Sequence, residues 1–517
     1  MHSQITIIII IILIIICLYF IYHHHHATKN EYFSTNNNLT CDILIVGAGA
    51  SGIYSAWRLS HEYPNKKIII VEKSDRISGR LESIPFGNPD IYAEMGGMRT
   101  FPGIDIYLTK LLNVLNIQSI PIPYIEPDNI GFVRGHRYNL NVLDSSSNRT
   151  IDRQQLITTY KLPPNEYNIS INDIILNAAE KSAPYFHSQW RTMYHSNYLN
   201  NTTFVNMLKN NNVSNGAIEA YRDFGGYNFS FDVPIAASTG IRENLSLSGM
   251  TQQHFVVGGY DSFIRKMAQE IILNPNITLL LNTSLEKIQP QREINYCQIK
   301  TSNNINFMIN ARQVILAAAR DSLIQIDAPW TSEAMEAMVN INSWSAFKAF
   351  MLVDDKTYNI LSKNGSNKGR CVSDLPARQV WMYSDNPPTI LVYADDSDAD
   401  YWSQFITSQQ DRPRFVDPNI NVNLTNELIR QISVIFGVDP TLININEIMY
   451  KYWDAGAYFW RPSNIDRLMS AIIQPFGNHI NIFVVGSDFS YSQGWVEGAI
   501  ESADAMLVKY FGLPSFV

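Results

Sequence analysis

Residues 40–60 read TCDILIVGAGASGIYSAWRLS. Thr40 to Val46 is a short apolar run, the pattern of a buried strand. It enters a glycine-rich turn, Gly47-Ala-Gly49-Ala50-Ser51-Gly52, that opens a helix over Ser51–Ser60. A second buried strand, Lys67–Val71, ends beside Glu72, 20 positions after Gly52. This is a βαβ unit. Gly47 permits the tight turn, Gly49 lets the backbone approach a pyrophosphate, and Gly52 lets helix and strand pack closely. The phosphates sit against the helix N-terminus, where free N–H groups and the dipole favour anions. Glu72 is placed to accept hydrogen bonds from adenosine ribose hydroxyls. The spacing predicts a dinucleotide site and leaves NAD and FAD as alternatives.

Composition narrows what surrounds this unit. The chain has 517 residues, 46% hydrophobic and 17% charged, which is globular composition spread over more than one domain. Acidic residues outnumber basic ones 47 to 39, a net charge of -8, and no Lys/Arg run stands out. Nucleic acid is therefore excluded as a main partner. The cysteines Cys17, Cys41, Cys297 and Cys371 form no CxxC pair, so no metal site is expected.

The N-terminus is a separate object. Ile5–Tyr22 is apolar throughout except for Thr6, and as a helix it spans about 27 Å, close to the apolar thickness of a bilayer. It lacks a basic start and a small-residue cleavage site, so it is expected to be an uncleaved single-pass anchor. His23–His26 belong to a solvated spacer. Asn-x-Ser/Thr sequons such as Asn148, Asn168 and Asn244 suit a glycosylated lumenal or extracellular body.

Further along, Gln154–Leu245 is polar and rich in Asn and Tyr, with helix-like pieces at Ile171–Lys181 and Thr203–Lys209. Short apolar strands recur at Ile277–Leu281, Gln313–Ala319 and Asn481–Val485. Trp344–Val353 and Gln379–Tyr393 read as strands of a broader sheet, and Val496–Tyr510 as a closing helix.

Two segments separate NAD from FAD. After Glu72 come Lys73-Ser-Asp-Arg76-Ile-Ser78-Gly79-Arg80 and Ala93-Glu94-Met-Gly96-Gly97-Met98-Arg99. Near the C-terminus stand Phe483-Val-Val-Gly486-Ser-Asp488 and Gly494-Trp495-Val496-Glu497-Gly498-Ala499. At these residues the chain resembles the flavin-containing amine oxidases, the family of monoamine, polyamine and L-amino acid oxidases. Ser78 stands where the family has the first Gly of GGR, and Asp488 where it has the Glu of FAGE.

The resemblance implies an α/β fold: an FAD-binding Rossmann-like domain (35–105, 246–340 and 451–517), a mixed-sheet substrate domain (106–153 and 341–450) and a helical insertion (154–245), preceded by the anchor and spacer (1–34). It implies FAD held by Gly47, Gly49, Ala50, Ser51, Gly52, Glu72, Lys73, Arg80, Gly96, Gly97, Met98, Arg99, Leu285, Gly486, Asp488, Gly494, Trp495 and Val496. A helix N-terminus at Val496 favours negative charge on the pyrimidine edge of a reduced flavin. Monoamine oxidases attach the flavin through the Cys of a GCY sequence. The matching residues here are Gly456-Ala457-Tyr458, and Ala offers no nucleophile, so the FAD is expected to be non-covalent.

Four residues are expected to carry catalysis: Arg99, Tyr393, Lys348 and Trp495. Arg99, in MGGMRTFP, matches the carboxylate-clamping Arg of L-amino acid oxidases, and its planar guanidinium suits a bidentate pair. The stretch Gly369–Arg378 and Tyr393 resemble the same subfamily. Lys348 shares a strand face with Ala346, Phe350 and Leu352, and the family places such a Lys on a water near flavin N5. Trp453, Tyr458 and Trp495 are expected to wall the substrate cavity, although aromatics at such positions fill cores as readily. The reading is an FAD oxidase of L-amino acids using O₂. Alternatives are a monoamine or polyamine oxidase, a flavin monooxygenase that decarboxylates, and a catalytically silent membrane-tethered flavoprotein. No general base is assigned, and an oligomer is compatible with the sequence.

Overall fold

The computed structural model describes residues 38–122, 129–144, 150–186, 190–246, 252–365, 369–406 and 413–517. The anchor and spacer expected over 1–34 lie outside the described residues. Among the described residues no helix is long and apolar enough to cross a membrane.

The apolar runs around the glycine turn assemble one sheet. Asn38–Val46 lies parallel to Ile68–Val71 on one side and to Asn306–Leu316 on the other. Ile277–Leu280 extends the parallel set beyond Ile68–Val71. On the far side, Asn295–Thr301 and Thr283–Gln289 add antiparallel strands. Where that pairing ends, Ile482–Val484 joins the same edge through Val314–Leu316. The central strands are apolar on both faces because helices cover both: Ala50–Glu62, Ser262–Ile271 and Val496–Phe511 share one core with Ile43, Ile45, Ile68 and Ile70.

The second sheet runs Ile445–Trp460, Ile341–Val353, Pro388–Asp395, Gln379–Asp385, Gly369–Ser373, Ile130–Val133, His136–Asn139. All its pairings are antiparallel except Gly369–Ser373 with Ile130–Val133, so it is a mixed sheet. Ile445–Trp460 pairs along Ile341–Val353 to its end. The domain boundary drawn at 450/451 therefore falls inside a strand of this sheet. Helices between 151 and 246 pack mostly on one another, with Leu156, Ile175, Met207 and Phe224 in their shared core. The first of them, Ile151–Tyr160, starts at Thr150, whose side chain accepts the Arg153 N–H. The insertion edge drawn at 154 thus lies within a helix.

A buried carboxylate ties the C-terminal helix to the helix Ile106–Val114. Glu497, in its first turn, accepts the N–H groups of Tyr107 (3.1 Å) and Leu108 (3.0 Å). These open the helix Ile106–Val114, whose own N-cap, Asp105, makes no side-chain cap bond. Burial pushes the Glu497 carboxyl up from 4.5 to about 8, with Asp105 adding to the rise. The folded state thus holds this proton more tightly than the unfolded chain, and the stability it contributes is lost as pH rises from 4.5 to 8. Urea midpoints of the wild type should therefore fall between pH 5.5 and 8, roughly the upper part of that window. In Glu497→Gln the fall should be smaller, and an unchanged slope would remove Glu497 as its source.

Candidate functional site

One cavity of about 1160 Å³ runs from the glycine turn to the helical insertion. At its nucleotide end the turn is set by contact with a neighbouring strand. Gly47 has φ +104°, and a Cβ there would lie 2.4 Å from the Ala317 carbonyl oxygen. A Cβ on Gly52 would lie 1.9 Å from the Gly47 carbonyl, so Gly52 serves packing and does not line the cavity. Gly49 faces open space, with nothing within 4 Å of its missing Cβ, which leaves room for a phosphate against the helix start. Glu72 fixes the turn from the next strand: its Oε2 accepts Ala48 N–H (2.7 Å) and its Oε1 accepts Ser74 N–H (2.9 Å).

The same cavity is lined by Ala50, Ser51, Lys73, Arg80, Leu285, Gly486, Asp488, Gly96, Gly97, Met98, Gly494, Trp495 and Val496. Asp488 is fully engaged despite being shorter than Glu. Its Oδ1 accepts Arg80 (2.5 Å) and Ser487 Oγ (3.1 Å), and its Oδ2 accepts Arg320 N–H (3.0 Å). Ser78 adopts φ +81° while donating its N–H to the Ala48 carbonyl at 2.9 Å. Serine makes the glycine turn here, with left-handed strain.

At the other end Arg99 and Tyr393 line the cavity. Arg99 is buried, donates to the Tyr227 hydroxyl, and lies 5.8 Å from the ring centroids of both Tyr227 and Trp381. Tyr227 in turn meets Tyr393 edge-on at 5.8 Å. Lys348 is 2% exposed and stands behind the wall, not in it. Its Nζ donates to the main-chain carbonyls of Glu94 (2.9 Å) and Gly96 (2.5 Å) and lies 4.7 Å from the Tyr393 ring centroid. Burial lowers its pKa, with Arg99 adding to the fall and Glu94 opposing it.

Two expected wall residues lie elsewhere. Trp453 donates its Nε1–H to Met95 O (2.7 Å). The Tyr458 ring lies between Arg80 and Arg320, its hydroxyl donating to Asp321 (2.7 Å). Neither lines the cavity. Ladder pairing jumps between Trp344 and Ala346, and this bulge changes which side chains face inward. Trp344 and Phe459 line the cavity instead, with Tyr227 and Phe229. The insertion also supplies Glu243, whose carboxylate accepts Arg242 Nη1 (2.7 Å) and Trp495 Nε1 (2.7 Å). Asn244 lines the cavity as well, its amide donating to Ser230 Oγ (2.7 Å) and Gly240 O (2.8 Å). It is therefore no outward sequon in the folded protein. Asn168 is exposed, and Asn148 lies outside the described residues. No group of metal-ligating side chains occurs among the described residues, and Cys41, Cys297 and Cys371 are buried free thiols.

Comparison with known proteins follows this geometry. The model of the flavin containing amine oxidoreductase family matches residues 50–505. Protein R188 of Acanthamoeba polyphaga mimivirus is 49% identical over 488 residues, covering 93% of this chain and 96% of that one. Aplysianin-A of Aplysia kurodai is 24% identical, covering 91% and 90%. The L-amino acid oxidase of Cerastes cerastes is 20% identical, covering 89% and 85%. A solved putrescine oxidase bound to putrescine superposes with a TM-score of 0.64 at 15% identity, over 92% of this chain and all (100%) of that chain, a likeness of fold.

The cradle fits FAD: room before Gly49, a fixed acid at Glu72, and the uncapped N-terminus of Val496–Phe511 at the opposite wall. With Ala457 in place of a thiol, acid precipitation should release intact FAD into the supernatant, and flavin retained in the pellet would contradict non-covalent binding. Ser78→Gly should relieve the left-handed strain, about 1–2 kcal/mol, less the added freedom of glycine in the unfolded chain, about 0.5–1 kcal/mol. A raised thermal midpoint at unchanged FAD content is expected, and a lowered midpoint would show that the seryl side chain stabilises the turn.

Proposed function

The chain belongs to the flavin-containing amine oxidoreductase family, and from that premise we propose that it oxidises the C–N bond of L-amino acids. The products of this reading are an imine, hydrolysed to a keto acid and ammonia, and H₂O₂ from O₂. FAD supplies the hydride acceptor and the reaction with O₂.

The observation that carries the choice of substrate is Arg99, a buried guanidinium on the cavity wall, held by a phenol and two ring faces. In this reading it pairs with the substrate carboxylate, and Tyr393 adds its hydroxyl to the same group. Trp344, Phe229 and Phe459 exclude water from the reacting carbon and hold the side chain. Trp495, fixed by its bond to Glu243, separates the substrate end from the helix start at Val496. Lys348 acts through the Glu94–Gly96 segment it anchors, keeping a positive charge close to the reaction without touching substrate. A diamine or polyamine oxidase is the second reading, favoured by Asp144 and Asp173, carboxylates on the wall of the same cavity that suit a second ammonium group.

Arg99→Met separates the two. Loss of a charge-assisted carboxylate contact, about 1.5–3 kcal/mol, should raise KM for amino acids roughly 10- to 150-fold. FAD content should not change, and amines without a carboxylate should be far less affected. Equal impairment of amines and amino acids would place Arg99 in the support of the fold or the flavin and leave only the broader amine oxidase activity.

A further inference from the structure

Asp395 ends the strand Pro388–Asp395 and is the N-cap residue of the helix Asp396–Ser403. An aspartate there ordinarily accepts an N–H of its own helix, yet Asp395 makes no such bond. Its side chain is 0% exposed, and Oδ2 accepts three hydrogen bonds from elsewhere: Asn228 N–H (2.8 Å), Phe229 N–H (3.1 Å) and Trp344 Nε1–H (3.0 Å). The other oxygen, Oδ1, has no hydrogen-bond partner among the described residues. Burying a carboxylate is costly unless it organises its surroundings.

Its donors belong to the substrate end of the cavity. Tyr227, Phe229 and Trp344 line it, as does Tyr393, two residues before Asp395 on the same strand. The rings interlock: Phe229 meets Trp344 at 5.7 Å, Tyr227 meets Trp344 at 6.3 Å, and Tyr227 carries the hydrogen bond from Arg99. A second acid, Asp398, accepts the Asn228 side-chain amide at 2.6 Å. Trp344 adjoins the ladder bulge, where pairing alone does not fix the ring. One carboxylate oxygen therefore joins the insertion to two strands of the second sheet at the point where their aromatic side chains meet Arg99.

Resting on the amino acid oxidase reading, we infer that Asp395 is a positioning residue. It sets the span between Arg99 and the aromatic end of the cavity, and so which substrate side chains are turned over. Without it the Tyr227–Phe229 segment and Trp344 lose their common anchor, and the pocket no longer discriminates by side-chain size.

The test compares wild-type, Asp395→Asn and Asp395→Ala holoenzymes with L-alanine, L-leucine and L-phenylalanine. Benzoate binding, read from the absorbance of the bound flavin, is measured in parallel. Asp395→Ala should retain FAD and shift the ratio of kcat/KM between phenylalanine and alanine by about tenfold. The shift should lie mainly in KM, with kcat within about threefold and benzoate binding weakened in parallel. Asp395→Asn keeps an acceptor oxygen for the three donors and should fall between the two. Loaded variants with wild-type selectivity and benzoate affinity would overturn the inference and leave Asp395 a fold determinant only. Where Asp395→Ala does not load FAD, Asp395→Asn decides, supporting the inference with a ratio shift of at least about threefold and refuting it with none. If the wild type turns over amines and no amino acid, the substrate reading fails by itself, and the same ratio taken between short and long amines still tests Asp395.

Discussion

Carboxylates that accept main-chain N–H groups from other segments, all but Glu72 of those named here buried, hold this molecule together. Glu72 fixes the glycine turn through Ala48, Glu94 accepts Tyr260 N–H (2.8 Å), Glu497 caps the Tyr107–Leu108 helix start, and Asp395 gathers Asn228 and Phe229. Apolar burial drives the chain together but does not specify direction. A carboxylate taken out of water is tolerated only where good donors converge on it. Each of these acids therefore selects one arrangement of two segments far apart in sequence, and the cavity is enclosed by the segments so joined. The cost is visible in the acids themselves. Burial pushes Asp395 up to about 7 and Glu497 up to about 8, even with their hydrogen bonds pulling the other way.

The strands and the nucleotide cradle were legible because their physics is local. A run such as Ile68–Val71 can only be a strand covered on both faces, and a glycine that meets the Ala317 carbonyl lies beside the turn it makes. The C-terminal Gly494–Val496 entry to a helix is equally local.

The substrate end was less legible because it is built from contacts between elements. Tyr227, Phe229 and Glu243 sit in a helical insertion whose sequence shows only polar, Asn-rich periodicity. No local signal distinguishes them from its core residues such as Phe204. Trp453 and Tyr458, expected on the wall, do not line the cavity. The ladder of Ile445–Trp460 is broken by the bulge opposite Ser345, and a bulge re-aims the side chains around it in a way that residue type alone does not show. Lys348 lies in the regularly paired stretch beyond the break, where alternation puts it on one face with Ala346 and Phe350. Its partners, however, are main-chain carbonyls of a distant loop, which a strand pattern does not reveal.

Two cations are thus buried side by side at the substrate end, each satisfied differently. Lys348 spends its protons on the Glu94 and Gly96 carbonyls beneath the Tyr393 ring, while Arg99 is held by the Tyr227 hydroxyl and the faces of Tyr227 and Trp381. Their proximity is unfavourable for both charges, and Arg99 contributes to the lowered pKa of Lys348. Glu94 opposes the fall, and neutral carbonyls and quadrupolar rings offset part of the repulsion as well. On the amino acid reading proposed above, an anion bound beside Arg99 would relieve it further, so a substrate carboxylate would gain from the second cation as well as from the first. The aromatic faces keep the local dielectric low enough for that gain to matter. On that reading carboxylate recognition would be coupled to Lys348, and through its hold on Gly96 to the loop that runs from the cradle into Arg99.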